Sequence, residues 1–344
     1  MDQRPLDVRN HPVRVSSEGG RVDSIEINPD KHGFAGAFAG VSHGSLIVAG
    51  GANFPDKKPW EGGTKVWYDS VYVLDRPDGE WQVAGRLRRP LGYGVSVTHG
   101  NGLICVGGGN STGHFADVFR LEWMKDRLVE SRLPSLPVAC ANACGDLVGS
   151  WLYVAGGQAS PTSAMTLKTV FRIDLSAIEP EWQAVDPIPG GGRMLSVAAS
   201  FGGKFWVVGG VDLIQGTGGN PERRYLTDGW CHAPQNGWSQ MARLPHAVTA
   251  APSPAPIDAT GFLVLGGDDG SQLGIPHERH RGFVKTVLHY DAAKNLWTDV
   301  GQSPVSRVTV PCVHWEHAWI IPSGEMKPAI RSPEVWSFTP DGKK

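Results

Sequence analysis

Near its C-terminal end the chain sets a carboxylate and a guanidinium on either side of a proline, in Ser323-Gly-Glu-Met-Lys-Pro-Ala-Ile-Arg331. Glu325 is a group that can accept and return a proton. Arg331 is planar, permanently charged and suited to holding an anion through two parallel hydrogen bonds. The loop is short and Pro328 stiffens it, so the acid and the cation stay close together. Such a pair suits proton transfer on an anionic substrate. What it can do depends on the elements that hold it.

Those elements are read from an internal repeat. A short apolar run followed by a glycine pair recurs as Leu-Ile-Val-Ala-Gly50-Gly51, Leu-Ile-Cys-Val-Gly107-Gly108, Leu-Tyr-Val-Ala-Gly156-Gly157, Phe-Trp-Val-Val-Gly209-Gly210 and Phe-Leu-Val-Leu-Gly266-Gly267. A sixth copy, Trp-Ile-Ile-Pro-Ser323-Gly324, leads into the loop above. Successive first positions lie 57, 49, 53, 57 and 57 residues apart, close to the roughly 50-residue Kelch period. An aromatic strand with an acidic end follows most pairs, as in Tyr72-Val-Leu-Asp75 and Phe171-Arg-Ile-Asp174, and then a tryptophan: Trp81, Trp182, Trp238 or Trp297. Runs of small residues precede the pairs, as in Gly33-Phe-Ala-Gly-Ala-Phe-Ala-Gly40.

Each unit supplies four strands, a to d. Innermost strands crowd the axis and need small side chains, and the b strands, buried between neighbours, read as continuous apolar runs. The sequence therefore predicts an all-β fold, a single six-bladed Kelch-type β-propeller over residues 1–344. Its blades are expected at about 31–85, 86–132, 133–186, 187–242, 243–301 and 302–340. The last unit runs out after Val335-Trp-Ser-Phe338, and residues 13–27 alternate as a strand should. The segment 1–30 is therefore expected to close the last blade with its outer strand.

Composition agrees. The 344 residues include 45 glycines, 26 prolines and 13 tryptophans, the mark of many short strands and tight turns. The formal net charge is -2 and no basic run stands out, so a nucleic-acid partner is not expected. No apolar stretch reaches the roughly 18 residues that span a bilayer, so a membrane partner is not expected either. The N-terminus lacks the apolar core of a signal peptide. The five cysteines, Cys105, Cys140, Cys144, Cys231 and Cys312, are odd in number and scattered. A cytoplasmic location is expected, or a periplasmic one if a leader was removed. Nothing in the sequence speaks to oligomeric state.

In a propeller the d–a and b–c connections emerge on one face, around the channel mouth. On the b–c side this brings Glu61, Glu325 and Arg331 into the candidate set. On the d–a side it brings Arg89, Arg193, His246 and Arg307 as candidates for the pocket wall.

Gly324-Glu-x-Lys-Pro-x-x-Arg331 resembles the active-site loop of the N-acetylneuraminate epimerases, the sialic acid mutarotases. Phe34-Ala-Gly-Ala-Phe-Ala-Gly-Val-Ser42 with Leu46-Ile-Val-Ala-Gly-Gly-Ala52 is similar to a blade of that family whose insertion carries Glu-Gly, here Glu61-Gly62. Tyr93-Gly-Val-Ser-Val97 is similar to the blade after it. The blade order is rotated, which implies the cyclically permuted mutarotase branch. The loop from Asp268 to Arg281 is shorter than its counterpart and rich in His and Arg. The resemblance implies Glu325 as acid/base and Arg331 as its partner on a sugar acid, N-acetylneuraminate or a related 2-keto sugar acid, with no cofactor or metal. Two other functions compete. One is a non-catalytic Kelch module that binds a glycan or protein. The other is a copper radical oxidase, for which Cys231-His232 and His277-x-x-His280 are the only hints. His314-Trp-Glu-His317 lies on the innermost strands and is expected to be structural.

Overall fold

The apolar runs become the second strands of six antiparallel sheets in the computed structural model, which describes residues 33–216 and 218–339. Blade one comprises Phe38–Ser42, Ser45–Ala49, Ser70–Leu74 and Gln82–Arg86. Blade two comprises Val95–His99, Gly102–Val106, Val118–Met124 and Arg127–Leu133, and blade three Cys144–Val148, Trp151–Ala155, Val170–Asp174 and Trp182–Val185. Blade four comprises Val197–Phe201, Lys204–Val208, Gly229–Ala233 and Gly237–Gln240. Blade five has Gly261–Gly267, Val284–Asp291 and Leu296–Gln302. Its inner segment is irregular and joins through an Ile257–Phe262 bridge. Blade six shows Val313–Trp315, Ala318–Pro322 and Val335–Phe338. The N-terminal closing strand expected over 13–27 lies outside the described residues.

The blades meet around a ring of backbone hydrogen bonds. Tyr93 N–H donates to Gly36 O (2.7 Å), Asn142 to Tyr93 (2.8 Å), Leu195 to Asn142 (2.8 Å), Ala250 to Leu195 (2.7 Å), Thr309 to Ala250 (2.7 Å) and Gly36 back to Thr309 (2.6 Å). One residue comes from the start of each unit, and all six have φ between 51° and 68°, in the left-handed region. The ring closes after six steps, which fixes the blade number. Below it a cavity of about 70 Å³ runs along the axis, lined by residues such as Ala37, Ser96, Gly145 and Ser253.

The glycine pairs are explained by what lies against them. At Gly209 a Cβ would sit 2.3 Å from Val248 O of the next blade, and Gly210 N–H donates to that same oxygen (2.7 Å). No side chain fits such an approach. In the sixth unit Ser323 takes the first position, and its Oγ accepts from Phe34 N–H (2.8 Å). Gly324 N–H donates to Phe34 O (3.0 Å). Last blade and first blade are thus joined by the kind of bond that Gly51, Gly108, Gly157 and Gly210 make to the next blade.

Six apolar clusters fill the six blade interfaces among the described residues. The b strand Ser45–Ala49 is buried throughout. Trp182, Trp238 and Trp297 each donate their indole N–H to a carbonyl of the preceding blade's outer edge, at Pro134, Asp186 and Ala242. All five cysteines are buried free thiols.

Candidate active site

The loop after strand b of blade six doubles back on itself, with Glu325–Lys327 pairing against Ile330–Arg331 around a turn in which Ala329 has φ 62°. Glu325 is pinned at its backbone, since its N–H donates to Val308 O (3.0 Å) and its carbonyl accepts from Val308 N–H (2.9 Å). Val308 precedes Thr309, the blade-six member of the central ring. The carboxylate therefore stands at the channel mouth. Its two oxygens differ. Oε1 accepts the Ala329 N–H at 2.6 Å. Among the described residues Oε2 has only the Thr309 hydroxyl at 3.4 Å and Arg331 Nη2 at 3.5 Å. Oε2 is thus the oxygen left to exchange a proton.

The Arg331 side chain is 3% exposed. The Phe54 ring of blade one lies 5.0 Å from its guanidinium carbon. Its Nε and Nη1 are buried with no partner among the described residues. Buried charged donors without acceptors are costly, so an anion reaching these two nitrogens would be stabilised there.

Blade one contributes an arm between its strands b and c. At its base Asn53 Nδ2 donates to Gly33 O (2.6 Å) and Asn53 Oδ1 accepts from Phe54 N–H (2.7 Å). Lys58 Nζ donates to Phe54 O (3.1 Å). A 3-10 turn, Pro59–Glu61, follows, with Glu61 Oε2 accepting from Lys58 N–H (2.9 Å). The Trp60 indole stacks on the His277 imidazole of blade five, with centroids 3.6 Å apart and planes 12° apart. Arm and blade-five loop thus meet across the sector of the short blade-six loop.

The sequence-derived candidates divide. Glu325 and Arg331 come together, and the arm bearing Glu61 adjoins them through Phe54. Glu61 itself is exposed and caps its own turn. Arg193 and Arg307 are not pocket wall, because each is buried in a strut to the residue ahead of strand c in its own unit. Arg193 is 0% exposed and binds Asp228 (2.9 Å) and Gly209 O (3.1 Å). Arg307 binds Glu334 (2.8 Å) and Ser332 Oγ (3.0 Å). Arg89 sits in the groove between blades one and two, beside Asp117 (3.3 Å) and over the Phe115 ring. His246 is half-buried; its Nδ1 contacts Ala247 O and its Nε2 is buried without a partner. The structure adds Thr309, Phe54 and Lys58. The position of Thr309, two residues after Arg307 as Leu195 is after Arg193, was the available signal for it. His232, a hint for copper, packs instead against Tyr153 and Trp238.

The sequence model of the N-acetylneuraminate epimerase family matches residues 20–129. Over this stretch the chain is similar to the N-acetylneuraminate epimerase family. The epimerase of Salmonella enteritidis PT4 (strain P125109) is 47% identical over 92 residues, which cover 24% of this chain and 23% of that protein. The epimerase of Yersinia pestis (strain Pestoides F) is 38% identical over 140 residues, 37% of this chain and 33% of that protein. The chain thus spans a third or less of these relatives' own length. The solved structure of YjhT superposes with a TM-score of 0.61 at 15% identity, covering 77% of this chain and 83% of that one, and it shares the fold. The stretch matched to the epimerase family contains the Phe54–Glu61 arm. Glu325 and Arg331 lie outside it, and ring closure brings them beside it.

Proposed function

We propose that the protein is a mutarotase that accelerates interconversion of the α and β anomers of N-acetylneuraminate or a related 2-keto sugar acid. The observation that carries this is Glu325 Oε2 at the channel mouth, 3.5 Å from a buried Arg331 with two nitrogens unpartnered among the described residues. The epimerase match of the adjoining arm supports the substrate class.

The chemistry asks for two proton transfers. Glu325 Oε2 takes the proton of the anomeric hydroxyl as the bond from the anomeric carbon to the ring oxygen breaks. The ring oxygen gains that proton from Glu325, directly or through a water, and the anomeric carbon becomes a ketone. After rotation about the bond to that carbon, the hydroxyl closes on the other face and the protons return. Arg331 holds the substrate carboxylate through its free donors. The permuted order of blades is part of the same proposal, since blades one and six are neighbours on the closed ring wherever the chain begins.

Proton NMR of freshly released N-acetylneuraminate, with and without the protein, tests this. Faster anomer exchange with the protein is expected. A spontaneous rate in its presence overturns the proposal and favours a binding module.

A further inference from the structure

The buried Arg331 does not face its open space alone. The Phe54 ring that covers its guanidinium (5.0 Å) belongs to the residue whose carbonyl holds the Lys58 ammonium (3.1 Å). Arg331 has two buried nitrogens without acceptors among the described residues. Lys58 is half-buried, with Phe54 O the one acceptor its ammonium has among the described residues. An ammonium carries three donors, so two are left over. The Glu61 carboxylate on the same arm turns to the Lys58 backbone N–H instead. The arm is fixed at its far end by the Trp60–His277 stack and at its base by Asn53. Two cations are thus brought near each other by different blades; the carboxylates beside them are Glu325, against Arg331, and Glu61, whose charge acts on Lys58 while its oxygen caps the turn, and both cations keep spare donors among the described residues.

We infer that Lys58 of blade one and Arg331 of blade six together form a clamp for a carboxylate, which makes Lys58 a binding residue of this site. This rests on the proposed sugar-acid chemistry only for the rest of the ligand; the clamp itself requires a carboxylate. Like charges held together repel and lose hydration. Burial, and after it the Arg331 charge, hold the Lys58 ammonium below its ordinary range. A bridging anion relieves both effects. The clamp sets the carboxylate on the blade-one side of Arg331, and Glu325 is left free for the anomeric hydroxyl.

The test measures, by calorimetry, binding of the 2-deoxy analogue of N-acetylneuraminate, which lacks the anomeric hydroxyl and cannot open, and of its methyl ester. The wild type is expected to prefer the acid. Lys58→Gln is expected to weaken acid binding by roughly ten- to a hundredfold and to leave ester binding within about twofold. Lys58→Arg, which keeps a charged donor, is expected to restore most of the acid preference. Equal weakening of acid and ester by Lys58→Gln means that the side chain only braces the arm, and overturns the clamp. An unchanged acid preference in Lys58→Gln overturns it too, as does a wild type that does not distinguish acid from ester. Anomer exchange by the wild type is followed in parallel. If exchange is absent while Lys58→Gln removes the acid preference, the clamp stands and the mutarotase proposal falls.

Discussion

The Thr309 hydroxyl lies 3.4 Å from Glu325 Oε2, and the backbone of Thr309 is one of the six links of the ring that closes the propeller. The acid is therefore referenced to the most constrained part of the fold rather than to a loose surface loop. Glu325→Gln keeps the shape of the side chain and can still accept the Ala329 N–H, but it cannot move a proton. The fold is expected to survive. Anomer exchange is expected to fall by about 10²- to 10⁴-fold, the usual contribution of a general acid–base group. Exchange NMR on the purified variant checks this, with thermal unfolding as the control. An exchange rate equal to wild type would remove Glu325 from the mechanism.

Arg331 is held by geometry that lysine cannot reproduce. Its plane lies against Phe54 and its spare donors sit in a fixed fork. Arg331→Lys is expected to raise KM for the sugar acid by about tenfold or more, in line with loss of a charged hydrogen bond. Phe54→Leu keeps the charge and loosens only the plane, so its effect is expected to be smaller and of the same kind. Steady-state exchange rates against substrate concentration separate KM from kcat. A Phe54→Leu effect confined to kcat would show that the ring does not act through substrate binding.

The scaffold was legible because its causes are local. Small inner strands, buried b strands and glycine pairs each answer a packing demand that repeats about every 50 residues, and the Ser323-Gly324 copy kept that register despite losing one glycine. Glu325 and Arg331 were legible for a related reason: a short, stiff loop leaves two charged groups few places to go. Arg193 and Arg307 misled because d–a loops near the mouth hold two environments, and sequence position does not say which side of the backbone a long side chain takes. Their acidic partners, Asp228 and Glu334, lie 35 and 27 residues on, at no spacing a local pattern would flag. Phe54 and Lys58 were passed over because a phenylalanine and a lysine in a polar insertion are unremarkable until ring closure brings Arg331 to them.

The strut at Arg193 gives a prediction about stability rather than activity. Its guanidinium is fully buried and meets both carboxylate oxygens of Asp228, at 3.3 and 2.9 Å. Removing one member of a buried pair leaves the other charge uncompensated, at a cost of about 3–5 kcal/mol. Arg193→Ala is expected to destabilise by about that much while folded protein keeps its exchange rate, because Arg193 does not reach the mouth. Urea unfolding gives the first quantity and NMR exchange the second. A stable but inactive Arg193→Ala would return the residue to the site.

Acid sensitivity should concentrate in blade five. Asp258 Oδ2 lies 3.0 Å from His289 Nε2, with side chains 17% and 5% exposed. Oδ1 of the same carboxylate accepts the N–H groups of Thr260 and Gly261. Burial by itself would raise the Asp258 carboxyl, but the His289 hydrogen bond, the Thr260 N–H, the His289 charge and the Gly261 N–H together bring it down to about 2. A carboxyl that titrates lower in the folded chain than in the unfolded one, where it titrates near 3.9, stabilises the fold above the unfolded value. That contribution is lost as pH falls from about 4 toward 2, and it is bounded at about 3 kcal/mol. Asp258→Asn removes the titration and one acceptor, so it is expected to lower Tm near neutral pH. The gap between variant and wild type is expected to narrow between pH 5 and pH 2.5, because the unfolded wild type takes up a proton at Asp258 that the folded chain resists. Thermal unfolding of both proteins across that range checks the sign. A gap that stays constant, or widens on acidification, would show that Asp258 does not carry the acid sensitivity of blade five.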